Sequence, residues 1–168
     1  MNASATENPL LHIRLVAFDV DGVFTDGRFY LSDEGVESKA FCTQDGFGVR
    51  QLLRAGIEVA VISGRSSRAV ETRMRELGVR HVVQGCHDKV AALEKIIAEL
   101  ALTERECVYV GDDEPDLPLL DAVGYSIAVA NAVASVRERC DYTTLAGGGF
   151  GAVREVCDLV LSARVDGE

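Results

Sequence analysis

Short apolar runs alternate with amphipathic segments along most of this chain, and that alternation restricts its fold more than any other feature. Runs with the length and composition of buried strands lie at residues 13–18, 58–62, 81–84, 107–110 and 125–129, with a further strand near 140–144. Helical periodicity is found at residues 68–77, 88–100, 116–122, 132–138 and 151–161. Strands that alternate with helices favour a parallel sheet. We therefore predict a Rossmann-like α/β fold with helices on both faces of the sheet.

One segment, residues 27–42, does not fit this alternation. Two short strand-like runs, 28–31 and 36–41, flank the turn sequence Ser-Asp-Glu-Gly. A small β-hairpin inserted after the first strand is therefore expected, without a large cap domain. We expect residues 39–46 to form a loop.

The length of 168 residues suits one domain. We predict an N-terminal tail at residues 1–11, a single domain at 12–161 with a glycine-rich segment at 147–155, and a C-terminal tail at 162–168. Five cysteines, an odd number without CxxC spacing, are expected to be reduced core residues.

Charge and hydropathy exclude several kinds of partner. The formal net charge of −10 disfavours nucleic acid and anionic membranes, because neutralising phosphates requires clustered Lys and Arg. No apolar stretch is long enough to cross a bilayer, and residues 1–9 lack the basic and apolar regions of a secretion signal. The chain is expected to be cytoplasmic.

Two carboxylates, Asp19 and Asp21, follow the first apolar run, and Gly22 marks a turn. They are expected at the carboxyl end of a parallel strand, where open α/β sheets bind ligands. Residues two apart in an extended segment point to the same side, so the two carboxylates would converge and repel. A hard divalent cation such as Mg2+ would join them. An ordinary polar turn is the alternative, because Asp and Gly are common turn residues.

Three further polar groups follow strand-like runs. Ser63 and Gly64 offer a hydroxyl and accessible backbone N–H groups. Lys89 opens a predicted helix, where a cation is unfavourable unless it reaches an anion or is simply solvated. The third group is a cluster of carboxylates, Asp112, Asp113 and Asp116. Asp113 is expected to cap a helix that begins near Pro115, which leaves the other two repelling each other without a metal.

The ordered set resembles the four motifs of the haloacid-dehalogenase-like phosphohydrolases. The matching residues are Asp19-Val-Asp21, Ser63, Lys89 and Gly111-Asp-Asp-Glu-Pro-Asp116. Residues 19–27, the absence of a large cap insertion and the segment 148–155 are similar to the 3-deoxy-D-manno-octulosonate 8-phosphate phosphatase family. That resemblance implies a homotetramer in which the hairpins assemble and a C-terminal segment reaches a neighbouring site. Family members more often carry Asn and Arg where this chain has Cys42 and Gln44, a departure that concerns the substrate and not the reaction.

The resemblance also implies roles for individual residues. Asp19 would be the nucleophile and Asp21 the general acid and base. Mg2+ would be held by Asp19, the backbone carbonyl of Asp21 and Asp112, while Asp113 and Asp116 would orient metal-bound water and Lys89. Ser63, Gly64 and Lys89 would bind the phosphoryl group of an anionic sugar-acid phosphate from lipopolysaccharide synthesis.

Arg65 and Arg73 lie where family members contact the substrate carboxylate, although Arg73 also suits a solvated face of its predicted helix.

Three other functions remain open. A related phosphatase would act on nine-carbon sialic-acid-like 9-phosphates, although residues 148–155 favour the eight-carbon substrate. A phospho-receiver domain shares the aspartyl phosphate and Mg2+, but it carries an adjacent acidic pair after its first strand, where this chain has a DxD motif. A catalytically silent scaffold would be favoured by loss of a motif residue, and none is lost.

Overall fold

A six-stranded parallel sheet forms the centre of the computed structural model, which describes residues 8–165. Numbered in chain order, its strands are β1 (Leu15–Phe18), β4 (Glu58–Ile62), β5 (His81–Val83), β6 (Cys107–Gly111), β7 (Tyr125–Ala128) and β8 (Tyr142–Thr143). The spatial order is β5-β4-β1-β6-β7-β8, with every neighbouring pair parallel. Every residue of β1 and β6 is buried, as expected for strands covered on both faces. The predicted α/β sheet is confirmed.

The helices that cover the sheet are α1 (Thr43–Arg54), α2 (Arg68–Leu77), α3 (Lys89–Leu100), α4 (Leu117–Leu120), α5 (Ala134–Arg137) and α6 (Ala152–Val165). Helix α1 packs on α6, whereas α3 packs on α4. The predicted bounds of α2 are confirmed, and α4 and α5 are shorter than predicted. Within residues 8–165 no helix has the length and apolar character needed to cross a bilayer.

The predicted hairpin is present as strands β2 (Tyr30–Leu31) and β3 (Glu37–Ser38), which pair antiparallel. Residues 8–165 contain no larger cap domain. Side chains at the hairpin are largely exposed and apolar: Phe29, Tyr30, Leu31 and Val36. The hairpin therefore leaves an apolar surface uncovered in the single chain.

The prediction of a loop at residues 39–46 is wrong for the second half of that segment, because α1 begins at Thr43. Gly46 and Gly48 lie in this helix and weaken its sequence signal, since glycine disfavours helices. Both glycines lie in close contacts with other helices. A Cβ at Gly48 would be 3.0 Å from the Cβ of Cys157 on α6, and a Cβ at Gly46 would overlap the Arg73 guanidinium. Tertiary packing therefore overrides the local propensity.

The ends of the folded region extend past the predicted limits of 12 and 161. Residues Pro9–His12 form a 3-10 turn whose Leu10 is buried in the core. At the other end, α6 continues to Val165. Residues 1–7 and 166–168, which belong to the predicted tails, lie outside the described residues. All five cysteines are free, with Cys107 and Cys157 buried and the rest half-buried.

Helix α1 offers a test of local stability, because its N-cap residue, Cys42, makes no side-chain capping bond to the described chain. A serine at this extended position can accept a hydrogen bond from an unpaired N–H of the first turn. We expect Cys42→Ser to raise the free energy of unfolding by about 1 kcal/mol in urea denaturation. The control Cys42→Ala removes the thiol without adding an acceptor and should give no gain; equal stability of the two variants would contradict this account.

Candidate active site

Three central strands, β4, β1 and β6, end at the same edge of the sheet, and their carboxyl ends open into one cavity of about 290 Å³. Sheets of this type bind ligands at such an edge. All the predicted site residues except Arg73 line the cavity: Asp19, Asp21, Ser63, Gly64, Arg65, Lys89, Asp112, Asp113 and Asp116. The topology therefore brings together residues that are far apart in the sequence.

Lys89 lies in the first turn of α3, yet its ammonium group is buried among anions. Asp88 caps this helix by accepting the Ala91 N–H at 3.0 Å. Lys89 Nζ lies 2.7 Å from Asp116 Oδ1 and 3.1 Å from Asp19 Oδ1. Burial alone would lower the pKa of Lys89, but Asp19 and Asp116 outweigh it and raise that pKa above its ordinary value. The lysine is therefore a fixed positive charge that reaches anions, which is one of the two alternatives left open by the sequence.

Asp116 organises the acidic loop through both of its oxygens. Its Oδ1 accepts from the Tyr109 hydroxyl at 2.7 Å as well as from Lys89. Its Oδ2 accepts the backbone N–H groups of Asp112 at 3.0 Å and Asp113 at 3.4 Å. Because both oxygens are occupied by the chain's own donors, Asp116 is better suited to positioning its neighbours than to binding a ligand.

Tyr109 is a site residue that was not predicted. It is fully buried on β6, and its hydroxyl lies 3.3 Å from Lys89 Nζ. The available signal was weak: a tyrosine inside an apolar strand needs a partner for its buried hydroxyl. Asp113 behaves as predicted, since its side chain caps the turn Glu114–Asp116 by accepting the Glu114 N–H at 2.8 Å.

The Asp112 carboxylate lies directly against the backbone of Gly22, in the turn after β1. Gly22 has a φ of 88°, and a Cβ there would overlap that carboxylate. Glycine is therefore required both by the turn and by the close approach.

Carboxylate oxygens of Asp19, Asp112 and Asp116 lie within 4.8 Å of one another. Burial, reinforced by Asp19, Asp116 and Asp113, raises the pKa of Asp112 to about 8. Burial and Asp116 likewise raise the pKa of Asp19 to about 6. Such an oxygen cluster, carrying more negative charge than Lys89 neutralises, fits a hard divalent cation. With Asp116 occupied by its own donors, Asp19 and Asp112 are the side chains best able to hold one.

The hairpin contributes a second set of charges, beside Asp21. Lys39, whose side chain is buried, pairs with Asp21 and lies 3.4 Å from Glu37. Arg65 closes the set, with Nη2 at 2.6 Å from Glu37 and Nε at 3.8 Å from Asp21. The guanidinium also stacks over the Phe29 ring, 4.3 Å from its centre. Lys39, Glu37 and Phe29 were not predicted, because only the folded hairpin brings them into contact with Asp21 and Arg65.

Ser63 and Gly64 follow β4, and the buried Ser63 Oγ accepts the Arg65 N–H at 3.3 Å. Arg73 takes a different place: its side chain lies beside Gly46, and its Nη1 is 3.3 Å from Glu76. Arg73 is not among the described residues that line the cavity. Its predicted contact with substrate stays a prediction.

Part of the glycine-rich C-terminal region packs on the chain's own active-site turn. The Gly149 N–H donates to the Val23 carbonyl at 3.2 Å, and a Cβ at Gly148 would overlap the Gly22 carbonyl. Residues 147–151, called here the glycine segment, therefore support the turn after β1 within the same chain. The prediction that a C-terminal segment reaches a neighbouring subunit stays a prediction.

The comparisons with known proteins agree with this fold and site. A family model described as haloacid dehalogenase-like hydrolase matches residues 80–147. The 3-deoxy-D-manno-octulosonate 8-phosphate phosphatase of Escherichia coli K12 is 46% identical over 153 residues, covering 91% of this chain and 81% of that protein. The chain belongs to this phosphatase family.

Two solved structures of family members are similar to this chain over nearly its whole length. The Moraxella catarrhalis phosphatase, solved with magnesium, phosphate and a KDO molecule, has a TM-score of 0.93 and 42% identity, covering 98% of this chain and 95% of that one. The cobalt-bound Haemophilus influenzae phosphatase has a TM-score of 0.91 and 37% identity, covering 94% and 92%.

The acidic cluster predicts an unusual dependence of stability on pH. When a carboxyl group has a higher pKa in the folded than in the unfolded state, the free energy of unfolding falls as the pH rises between those two pKa values. For Asp112 this window runs from its ordinary value of 3.8 to about 8. In metal-free protein we expect Asp112→Asn to melt a few degrees above wild type at pH 8, and the difference to shrink towards pH 4.

The measurement is thermal unfolding of both proteins across this pH range, with chelator and then with Mg2+. Excess Mg2+ should stabilise the wild type more than the variant. A wild type that is as stable as Asp112→Asn at pH 8 without metal would contradict the proposed repulsion.

Proposed function

We propose that this chain is a Mg2+-dependent phosphatase that hydrolyses 3-deoxy-D-manno-octulosonate 8-phosphate to the free sugar acid and phosphate. The observation that carries the proposal is the cavity in which Asp19, Lys89 and Asp112 meet, in a chain of this phosphatase family. Mg2+ would be held by Asp19, Asp112 and the backbone carbonyl of Asp21. When bound, it neutralises the repulsion between carboxylate and phosphate.

The reaction proceeds in two steps. An Asp19 oxygen attacks phosphorus, the bond from phosphorus to the sugar oxygen breaks, and Asp21 protonates the departing oxygen. Water then attacks the aspartyl phosphate, Asp21 accepts its proton, and the bond between phosphorus and the Asp19 oxygen breaks to release phosphate. One residue thus alternates between acid and base around a covalent intermediate.

Lys89 and Ser63 hold the transferring phosphoryl group. The Lys89 ammonium is fixed by Asp116 and lies 3.1 Å from the proposed nucleophile, where it can meet the phosphoryl oxygens. Ser63 and the backbone beside Gly64 line the same cavity. Positioning and charge stabilisation of this kind are the main requirements of phosphoryl transfer.

Arg65 is the proposed partner of the substrate carboxylate. It lines the cavity, and the Phe29 stack and Glu37 limit its motion before substrate binds. A guanidinium held in this way loses little conformational freedom when it pairs with a second carboxylate. The contact suits any sugar acid, so the choice of eight over nine carbons follows from the relatives rather than from Arg65.

We also propose that the chain works as a homotetramer in the cytoplasm, within lipopolysaccharide synthesis. The exposed apolar residues of the hairpin, Phe29, Tyr30, Leu31 and Val36, support contact between copies. Exposed Leu145 and Phe150, beside or within the glycine segment, offer a further apolar contact.

The test of this function is phosphate release from the eight-carbon 8-phosphate, the nine-carbon 9-phosphate and simple phosphomonoesters. Wild type should prefer the eight-carbon substrate with Mg2+ and lose activity with chelator. Asp19→Asn should lose turnover by at least about a thousandfold, because the amide is not a competent nucleophile. Its circular dichroism and melting should show an intact fold.

Asp19→Asn that keeps its turnover would refute the nucleophile assignment. Equal or faster turnover of the nine-carbon substrate would assign the chain to sialic-acid-type metabolism. A stable phospho-adduct without turnover would indicate a receiver domain, and no reaction with any substrate would leave a silent scaffold.

A further inference from the structure

The turn after β1 is held by more than its own backbone. Its Gly22 lies between two close neighbours, with the Asp112 carboxylate on one side and Gly148 of the glycine segment on the other. A Cβ at either glycine would overlap its neighbour. The Gly22 backbone is therefore in close contact with both the Asp112 carboxylate and the glycine segment.

Asn131, in the loop after β7, contacts both Gly22 and Gly148 with one side chain. Its Oδ1 accepts the Gly148 N–H at 2.6 Å, and its Nδ2 donates to the Gly22 carbonyl at 3.2 Å. An amide can do both at once because it carries an acceptor and donors on the same group. Asn131 thus connects the glycine segment to the turn after β1.

The same loop also holds the backbone of Asp112. The Val133 N–H, two residues beyond Asn131, donates to the Asp112 carbonyl at 2.9 Å. The loop itself is anchored by the buried Thr144, whose hydroxyl accepts the Ala130 N–H at 3.1 Å and donates to the Ala146 carbonyl at 2.7 Å. The loop after β7 therefore hydrogen-bonds to both segments that meet here. Asn131 bonds to Gly22, and Val133 bonds to the backbone of Asp112.

We propose that Asn131 is a positioning residue for the metal site: its amide fixes the Gly22 peptide between the glycine segment and the Asp112 carboxylate. The inference rests on the Mg2+ site proposed above. It assigns to Asn131 no contact with metal or substrate. Because Asn131 acts on Asp112 through Gly22, its replacement should weaken Mg2+ affinity more than it weakens substrate binding.

The test compares Asn131→Ala with wild type by calorimetric titration of Mg2+ into the metal-free full-length chain. Asn131 is exposed, so the variant leaves the core intact, and a melting curve checks its fold. Losing the two hydrogen bonds should raise the Mg2+ dissociation constant about three- to tenfold. At saturating Mg2+, the KM for a phosphate ester should stay within about twofold of wild type.

The matched control is Ser126→Ala, near the start of β7, the strand that leads into the loop of Asn131. It also removes side-chain hydrogen bonds, because Ser126 Oγ donates to Asp141 Oδ2 at 2.8 Å and accepts the Asp141 N–H at 3.1 Å. This control should lose thermal stability while its Mg2+ affinity stays at the wild-type value.

Unchanged Mg2+ affinity in Asn131→Ala would overturn the inference while leaving the proposed function intact. An equal loss of affinity in both variants would also overturn it, because general loosening would then explain the effect. A wild-type chain that binds no Mg2+ would overturn the proposed metal site, and this inference with it.

Discussion

Electrostatic repulsion among carboxylates at the carboxyl edge of the sheet is the constraint on which the rest of the site depends. Oxygens of Asp19, Asp112 and Asp116 lie within 4.8 Å of one another, and Lys89 is the cation placed among them. Buried charges of one sign are costly unless a partner compensates them. The raised pKa values of Asp19 and Asp112 reflect this incomplete compensation. A metal cation, added to the buried lysine, would complete the compensation.

The fold gives each carboxylate a different role by giving it different neighbours. Both oxygens of Asp116 accept hydrogen bonds, from Lys89, Tyr109 and two backbone N–H groups, so this residue is suited to holding its neighbours in place. Asp112, pressed against Gly22, keeps its carboxylate available at the cavity. Asp21, which also lines the cavity, pairs with Lys39 and lies near Arg65. Similar residues thus have different environments through position alone.

Much of this site could be predicted from the sequence because parallel-sheet topology is simple. Polar residues that follow buried strands must meet at one edge, which places Asp19, Ser63 and Asp112 together without knowledge of any contact. Lys89 was detectable because a cation at a helix N-terminus is locally unfavourable. In each case a short segment carried its own physical signal.

The features that were missed depend on contacts between distant segments. Helix α1 was not predicted because Gly46 and Gly48 weaken its propensity, and their close contacts with Arg73 and α6 form only in the folded chain. Lys39 looks like an ordinary surface lysine until the hairpin folds it against Asp21. The bounds of the helix that carries Arg73 were predicted correctly, but the position of its side chain beside Gly46 could not be read from the sequence.

The most direct measurement of the central claim is calorimetric titration of Mg2+ into metal-free protein at pH 7, in two buffers with different heats of ionisation. If Asp112 has a pKa of about 8 without metal, it is largely protonated at this pH and must lose its proton when the cation binds. We predict one Mg2+ per chain and release of about one proton, seen as a difference in heat between the buffers. Absence of Mg2+ binding, or binding with no proton release, would contradict the account.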